Sequence, residues 1–141
     1  IAAGRAVTRA LVARAYYIRE SSTVTCPDGS HPPSLYREYL GNNGLPVSEE
    51  VAAGIENLQI EYAVANRSQD SLRFVDADTV EDWDSVVMLQ LWLLARQECA
   101  HAAIKGQQRQ YPMGQTLYIP DDTHYHRELF QATIMLRNRP R

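Results

Sequence analysis

The stretch Gly54-Ile55-Glu56-Asn57-Leu58-Gln59-Ile60-Glu61-Tyr62-Ala63-Val64 governs the architecture of this chain. Leu58, Ile60, Tyr62 and Val64 share one parity, and Gln59, Glu61 and Ala63 share the other. A period of two sends the two sets to opposite faces of a strand. The segment is therefore predicted as a strand over about 56–65, half-buried, with its apolar parity inward and its polar parity wet.

Working outward, the run Val86 to Arg96 is the most apolar in the chain. Val87, Leu89, Leu91 and Leu93 line one face, and Met88, Trp92 and Leu94 share the other with Gln90, so it reads as a central strand covered on both sides. The last strand falls at 128–138, where Phe130, Ala132, Ile134 and Leu136 alternate with Leu129, Gln131, Thr133, Met135 and Arg137. The first of these sets is the expected core face. Upstream, a strand over 10–20 is followed by a turn-rich connection, Ser21 to Pro33, and a returning strand over 34–40. Asn42-Asn43-Gly44 and Pro46 end that strand. Ser48 is placed to cap a helical turn through Val51-Ala52-Ala53 that Gly54 ends. Residues 66–71 read as a loop, Thr79 as the N-cap of one turn reaching Trp83, 97–105 as a short alanine-rich helix, and 117–119 as a short strand. Residues 1–20 taken together are ambiguous: Ala3, Val7, Ala10, Leu11, Tyr17 and Ile18 sit at helical spacing, Val12, Tyr16 and Ile18 suit one strand face, the alanines favour helix at the start and Tyr16-Tyr17-Ile18 favours strand at the end. The sum is an α+β arrangement: an antiparallel sheet of four or five strands with one or two short helices.

At 141 residues the chain is expected to be one domain, spanning 1–141. A formal net charge of −3 carries no electrostatic footprint for nucleic acid, and none is predicted as a partner. The basic cluster Arg137, Arg139 and Arg141 reads as a solvated end. No apolar run approaches the roughly 20 residues that span a bilayer. Because the first residue is Ile1, the chain is expected to be a fragment or a processed product.

Candidate chemistry is sparse. Asp76, Asp78, Glu81, Asp82 and Asp84 are oxygen donors of the kind Ca²⁺ takes, but the EF-hand spacing with its glycine and terminal glutamate is missing. Turn capping and the first turn of a short helix account for the same acids. His124 and His126 form a His-x-His pair that Asp121, Asp122, His31 or His101 would have to complete, and the spacing selects none of them. Exposed histidines in a loop are the plainer reading. Ser85 follows Asp84 without a nearby histidine, no nucleophile elbow is present, and Gly41-Asn42-Asn43-Gly44 lacks the lysine of a phosphate loop. No catalytic, cofactor or metal residue is therefore assigned. Tyr16, Tyr17, Tyr36, Tyr39 and Tyr62 fit an interface and cross-strand packing equally well, with Tyr16 and Tyr17 on different faces. Cys26 and Cys99 match no zinc spacing. They form either one disulfide, worth about 4 kcal/mol by loop entropy, or two separate thiols.

Several words, taken in order, carry a resemblance. They are Tyr16-Tyr17-Ile18-Arg19, Leu35-Tyr36-Arg37, the Gly54–Val64 stretch, Phe74-Val75-Asp76-Ala77, Thr79-Val80-Glu81-Asp82-Trp83, Val86 to Arg96, and Phe130 to Arg139. Together, over about 13–139, the chain resembles the C-terminal part of PilW-type minor pilins of the type IV pilus assembly machinery. The resemblance implies a pilin-like fold whose long N-terminal helix, missing or truncated here, covers the sheet and anchors in the inner membrane. It implies a noncatalytic part that primes or caps a pilus with other minor pilins and the major pilin. Such a protein would stand on the periplasmic face of the inner membrane and then in the pilus. That compartment favours pairing of Cys26 with Cys99. Neighbours would be selected through the 21–33 tip, the 66–72 loop or the 106–125 segment. The sheet is expected to take its cover from a helix elsewhere in a longer chain, from a partner, or from residues 1–12. The words are similar, more loosely, to J-class minor pseudopilins of type II secretion systems. An adhesive or ligand-binding β-rich domain, using 121–126, is the reading from a different class.

Overall fold

The structure is a computed structural model that describes residues 12–66, 71–101, 103–104, 106 and 108–136. Strands dominate it. β1 (Arg14–Glu20), β2 (Pro33–Leu40) and β3 (Pro46–Ala53) form one antiparallel sheet in that order. β4 (Ile55–Asn66), β5 (Ser71–Val75), β6 (Val86–Arg96) and β9 (Arg127–Met135) form a second, ordered β5-β4-β6-β9. β7 (Tyr111–Met113) and β8 (Thr116–Tyr118) make a separate hairpin.

The predicted central strand matches β6 at both ends, and the predicted 56–65 strand is β4. The strand expected over 10–20 is seen from Arg14, and residues 1–11, which bear on any covering helix, lie outside the described residues. The count of four or five strands holds for the second sheet alone. Among the described residues there are nine strands and no α-helix, so the helical half of the α+β reading is not found there.

The helical turn expected at 51–53 is a strand instead. β3 pairs with β2, Tyr39 opposite Val47 and Arg37 opposite Glu49, through a hairpin in which Gly44 takes a φ of +75°. Ser48 does not cap a helix. Its hydroxyl lies 2.6 Å from that of Tyr17, across the sheet. Pairing with β2 along the whole of β3 overrode the local propensity of the alanines. Nor is there a helix among the described residues of 97–105, where Cys99 is bonded to Cys26. Thr79 ends a single 3-10 turn (Ala77–Thr79) rather than starting one, and the second turn (Trp83–Ser85) is capped by Asp82, whose carboxylate accepts from the Asp84 amide at 2.9 Å. β5 and β7 were not anticipated as strands.

Gly54 links the two sheets. Its φ of +78° is one that only glycine adopts without strain. Its N–H donates to the Pro33 carbonyl at 2.8 Å, and its own carbonyl accepts from the Arg96 amide at 2.7 Å. One residue thus ties the end of β3 to β2 and the start of β4 to β6.

Register fixes the faces of the second sheet. Leu58, Leu93 and Phe130 form one cross-strand row, Ile60, Leu91 and Ala132 the next, and Tyr62, Leu89 and Ile134 a third. The opposite face carries Asn57, Leu94 and Leu129, then Gln59, Trp92 and Gln131, then Glu61, Gln90 and Thr133. The β7–β8 hairpin lies over this second face. There Trp92, Leu94 and Met113 form a buried cluster with Tyr111, Tyr118 and Leu129 packed against it.

This placement reverses one expectation. The polar parity of β4 was to be wet, yet Glu61 is 6% and Ala63 0% exposed. The hairpin closes over them, and the Gln115 amide donates to Glu61 Oε1 at 2.6 Å. The reversal extends to β9, whose expected core face stays open: Phe130 is 52% and Ile134 47% exposed.

Candidate functional site

The feature with the largest unmet physical demand is the three-row apolar face. Its β4 and β6 members are half-buried and its β9 members exposed. Leucine, isoleucine and phenylalanine in adjacent rows gain roughly 25 cal/mol for each Å² taken from water. A contiguous patch of this kind on a folded chain marks a surface that packs against something. At one end the Trp83 ring meets Tyr62 edge-on, centroids 5.0 Å apart. Tyr62 is thus engaged at the sheet, while Trp83 itself remains exposed.

The covered face is locked by charge. Arg127, the first residue of β9, donates from Nε to Glu56 Oε2 at 2.6 Å and from Nη2 to Asp122 Oδ1 at 2.7 Å. Its side chain is almost fully buried. Burial pushes its pKa down, but the hydrogen bonds and charges of Glu56 and Asp122 outweigh that and hold it above the ordinary arginine value. The Tyr118 hydroxyl donates to Glu56 Oε1 at 3.2 Å, and burial followed by the Glu56 charge pushes that phenol up. The Arg96 guanidinium sits 3.8 Å from the centroid of the Tyr125 ring. Together these contacts pin the 106–126 segment to the ends of β4, β6 and β9. Periodicity gives no hint of the Arg127–Glu56 pair, whose members stand 71 residues apart.

The first sheet has its own knot. Glu50 accepts from the Ser21 hydroxyl at 2.5 Å, from the Ser22 amide at 3.0 Å and from the Tyr36 hydroxyl at 3.0 Å. Burial would raise its pKa, but the serine donors prevail and hold it far below the usual carboxylate range. The acceptor therefore stays ionised and shapes the start of the 21–33 loop. Farther along that loop, Cys26 is bonded to Cys99, which settles the two-way reading of the cysteines as a disulfide.

The tyrosines divide as their parity requires. Tyr17 stacks on the buried Tyr36 with centroids 5.8 Å apart, whereas Tyr16 is 48% exposed on the other face. Tyr39 reaches Glu49, which also pairs with Arg37. Cross-strand contacts therefore account for Tyr17, Tyr36 and Tyr39, and Tyr16, half exposed, also meets a cross-strand partner, Arg37.

The candidate ligand sets do not converge. Among the described residues no group of three or more His, Cys, Asp or Glu side chains is placed to hold a metal ion. His124 and His126 are exposed, and they offer backbone carbonyls to the amides of His101 and Gln97. His31 lies in the 21–33 loop, where Nδ1 donates to the Val24 carbonyl at 2.9 Å. Asp121 is exposed, while Asp122 is taken by Arg127. Asp76, Asp78, Glu81, Asp82 and Asp84 all lie on the surface around the two 3-10 turns. The Ser85 hydroxyl donates to the Asp82 carbonyl at 2.6 Å. A pocket of about 250 Å³ opens between Ile104, Arg109, Tyr111, Tyr125, His126 and the Arg127–Asp122 pair, whose charges are spent on each other. Of the three surfaces expected to select neighbours, the 21–33 tip is held by the disulfide, the 106–125 segment is docked on the sheet, and residues 67–70 lie outside the described residues.

Among the described residues no helix is long and apolar enough to cross a membrane. No curated protein and no solved structure matches the chain. The family model described as Type IV Pilus-assembly protein W matches residues 15–138, from the first strand to beyond the last. A match over most of the chain shows the family: the chain belongs to the type IV pilus-assembly protein W family, and so to the envelope-associated proteins that work with other pilus components in pilus assembly.

Proposed function

We propose that residues 1–141 are the single pilin-like domain of a noncatalytic minor pilin. It primes or caps a type IV pilus together with other minor pilins and the major pilin. A long N-terminal helix of the full protein anchors it at the periplasmic face of the inner membrane and accompanies it into the pilus. One observation carries this reading: the rows Leu58-Leu93-Phe130, Ile60-Leu91-Ala132 and Tyr62-Leu89-Ile134 make a continuous apolar face on an antiparallel sheet whose other face already buries Glu61, Trp92 and Leu94 beneath the β7–β8 hairpin. A sheet with one uncovered apolar face is completed by a layer of helix. The family match supports the setting, and the spent charges of the Arg127 knot support a structural role over a catalytic one.

Ile60, half-buried at the middle of this face, gives the test. The full-length Ile60→Asp protein should form its disulfide normally. It should leave a strain lacking the wild-type gene with few or no surface pili, and it should fail to co-purify with the other minor pilins. Normal piliation by this variant, with normal co-purification, would refute the proposal.

A further inference from the structure

β9 is an edge of the second sheet, paired with β6 along its whole length and with no strand among the described residues on its other side. Natural edges are usually blunted by shortness, proline, lysine or a bulge. β5, the opposite edge, is five residues long, and β3 of the other sheet opens on Pro46. β9 has nine residues, with no proline, glycine or lysine and no break in register. Its charges are confined to its first two residues, and one of those, Arg127, is buried in its ion pair.

The ladder shows which main-chain groups are free. The Leu136 amide donates to the Val87 carbonyl, and the Gln97 amide donates to the His126 carbonyl. Both contacts place even-numbered residues of this strand toward β6. In an antiparallel ladder the alternate residues turn the other way. The N–H and C=O groups of Leu129, Gln131, Thr133 and Met135 therefore point out of the sheet.

The sequence at this edge is a palindrome in chemical character: Leu129-Phe130-Gln131-Ala132-Thr133-Ile134-Met135. Folded about Ala132, Leu129 meets Met135, Phe130 meets Ile134 and Gln131 meets Thr133. We infer that β9 pairs antiparallel with β9 of a second copy of this chain, on a twofold axis through Ala132. In that register every outward residue meets an outward residue, so the hydrogen-bonded pairs Gln131–Thr133 and Leu129–Met135 form twice each. Phe130 and Ile134 make aromatic to β-branched contacts on the apolar face, of the kind that stabilise paired strands. Two four-stranded sheets become one continuous sheet, and their apolar faces join. The pairing does not depend on whether the chain is a minor pilin.

Four substitutions test it on the 141-residue chain. Thr133→Pro removes an amide that points away from β6, so the internal ladder is kept while the outer edge is blocked. The parent should sediment as a concentration-dependent dimer, and Thr133→Pro should sediment at half that mass at every concentration, with the thermal midpoint of the dilute, monomeric parent. Ala132→Cys would face its own copy in a non-hydrogen-bonded pair, with Cα atoms about 4.5 Å apart, within reach of a disulfide. It should give a covalent dimer on mild oxidation. Phe130→Cys and Ile134→Cys should each give none alone, yet cross-link to one another when mixed. A parent that stays monomeric, a dimer that survives Thr133→Pro, or cross-linking that is equal at the three cysteine positions would overturn the inference. The last two results would indicate face-to-face association of the apolar surfaces.

Discussion

At the scale of single residues, Gly54 and Glu50 each hold a point where the backbone changes course. A Cβ on Gly54 would stand 2.6 Å from the Arg96 carbonyl oxygen, in a backbone region already costly for any side chain. Gly54→Ala is expected to lower the unfolding free energy by about 2 to 4 kcal/mol in urea melts. Gly29 has a similar φ of +84° with nothing within 4 Å of an added Cβ. Gly29→Ala should therefore cost only about 1 kcal/mol, the strain without the clash. Glu50 gives a pH signature. Its folded-state pKa is depressed, so its stabilisation is fully present above the unfolded carboxylate value of 4.5 and is lost as pH falls through the folded value. Glu50→Gln should melt below the parent at pH 7, and the gap should begin to narrow only below about pH 4.5. A gap that stays constant down to pH 2 would show that the contribution is not that of the ionised carboxylate.

At the scale of elements, the β7–β8 hairpin and the segment around it depend on one arginine. Removing Arg127 leaves Glu56, itself largely buried, without its cation, and leaves Asp122 only the longer pair with Arg96 at 3.8 Å. Breaking one side of such a pair costs more than the pair contributes, because the remaining charge stays desolvated. Arg127→Ala is expected to cost about 3 kcal/mol. Amide exchange should quicken in β7 and β8 while the centre of β6 stays protected. Uniform acceleration across all strands would show that the hairpin and the sheet unfold as one unit. Strand identity at this scale came from periodicity, as in β4 and β6, where alternation is long and unbroken. It failed at β3, where Ser48 and the alanines imitate a capped helical turn and only the pairing with β2 distinguishes a strand.

At the scale of the whole molecule, the two sheets are joined covalently at two places, the Gly54 corner and the Cys26–Cys99 bond, which ties the loop between β1 and β2 to the segment after β6. The bridged residues are 73 positions apart, so the bond removes a large part of the freedom of the unfolded chain. Cys99→Ser with Cys26→Ser should lower stability by about 2 to 5 kcal/mol, read as the difference between parent and variant in denaturant, and the parent should fall to the level of the variant under strong reductant. An unchanged midpoint in both experiments would mean that the Gly54 corner alone holds the sheets in place. The uncovered apolar face belongs to this scale as well, since it is built from three strands and none of them shows it alone.

Alternation along the chain was enough to establish a strand-dominated protein, the positions of β4, β6 and most of β9, and the parity of each side chain on them. The family resemblance was legible from ordered words in the same strands. Which parity becomes the interior was not legible, because that depends on what lies over the sheet, and the cover is a hairpin some 50 residues away whose docking rests on Glu61, Arg127 and Trp92. The polar side of β4 is buried because Glu61 finds the Gln115 amide beside Gly114, and the greasy side of β9 stays exposed because no described segment reaches it. Local periodicity sets where side chains point, while burial, the disulfide and the ion pairs follow from contacts between distant segments, which the order of residues records only once the chain has folded.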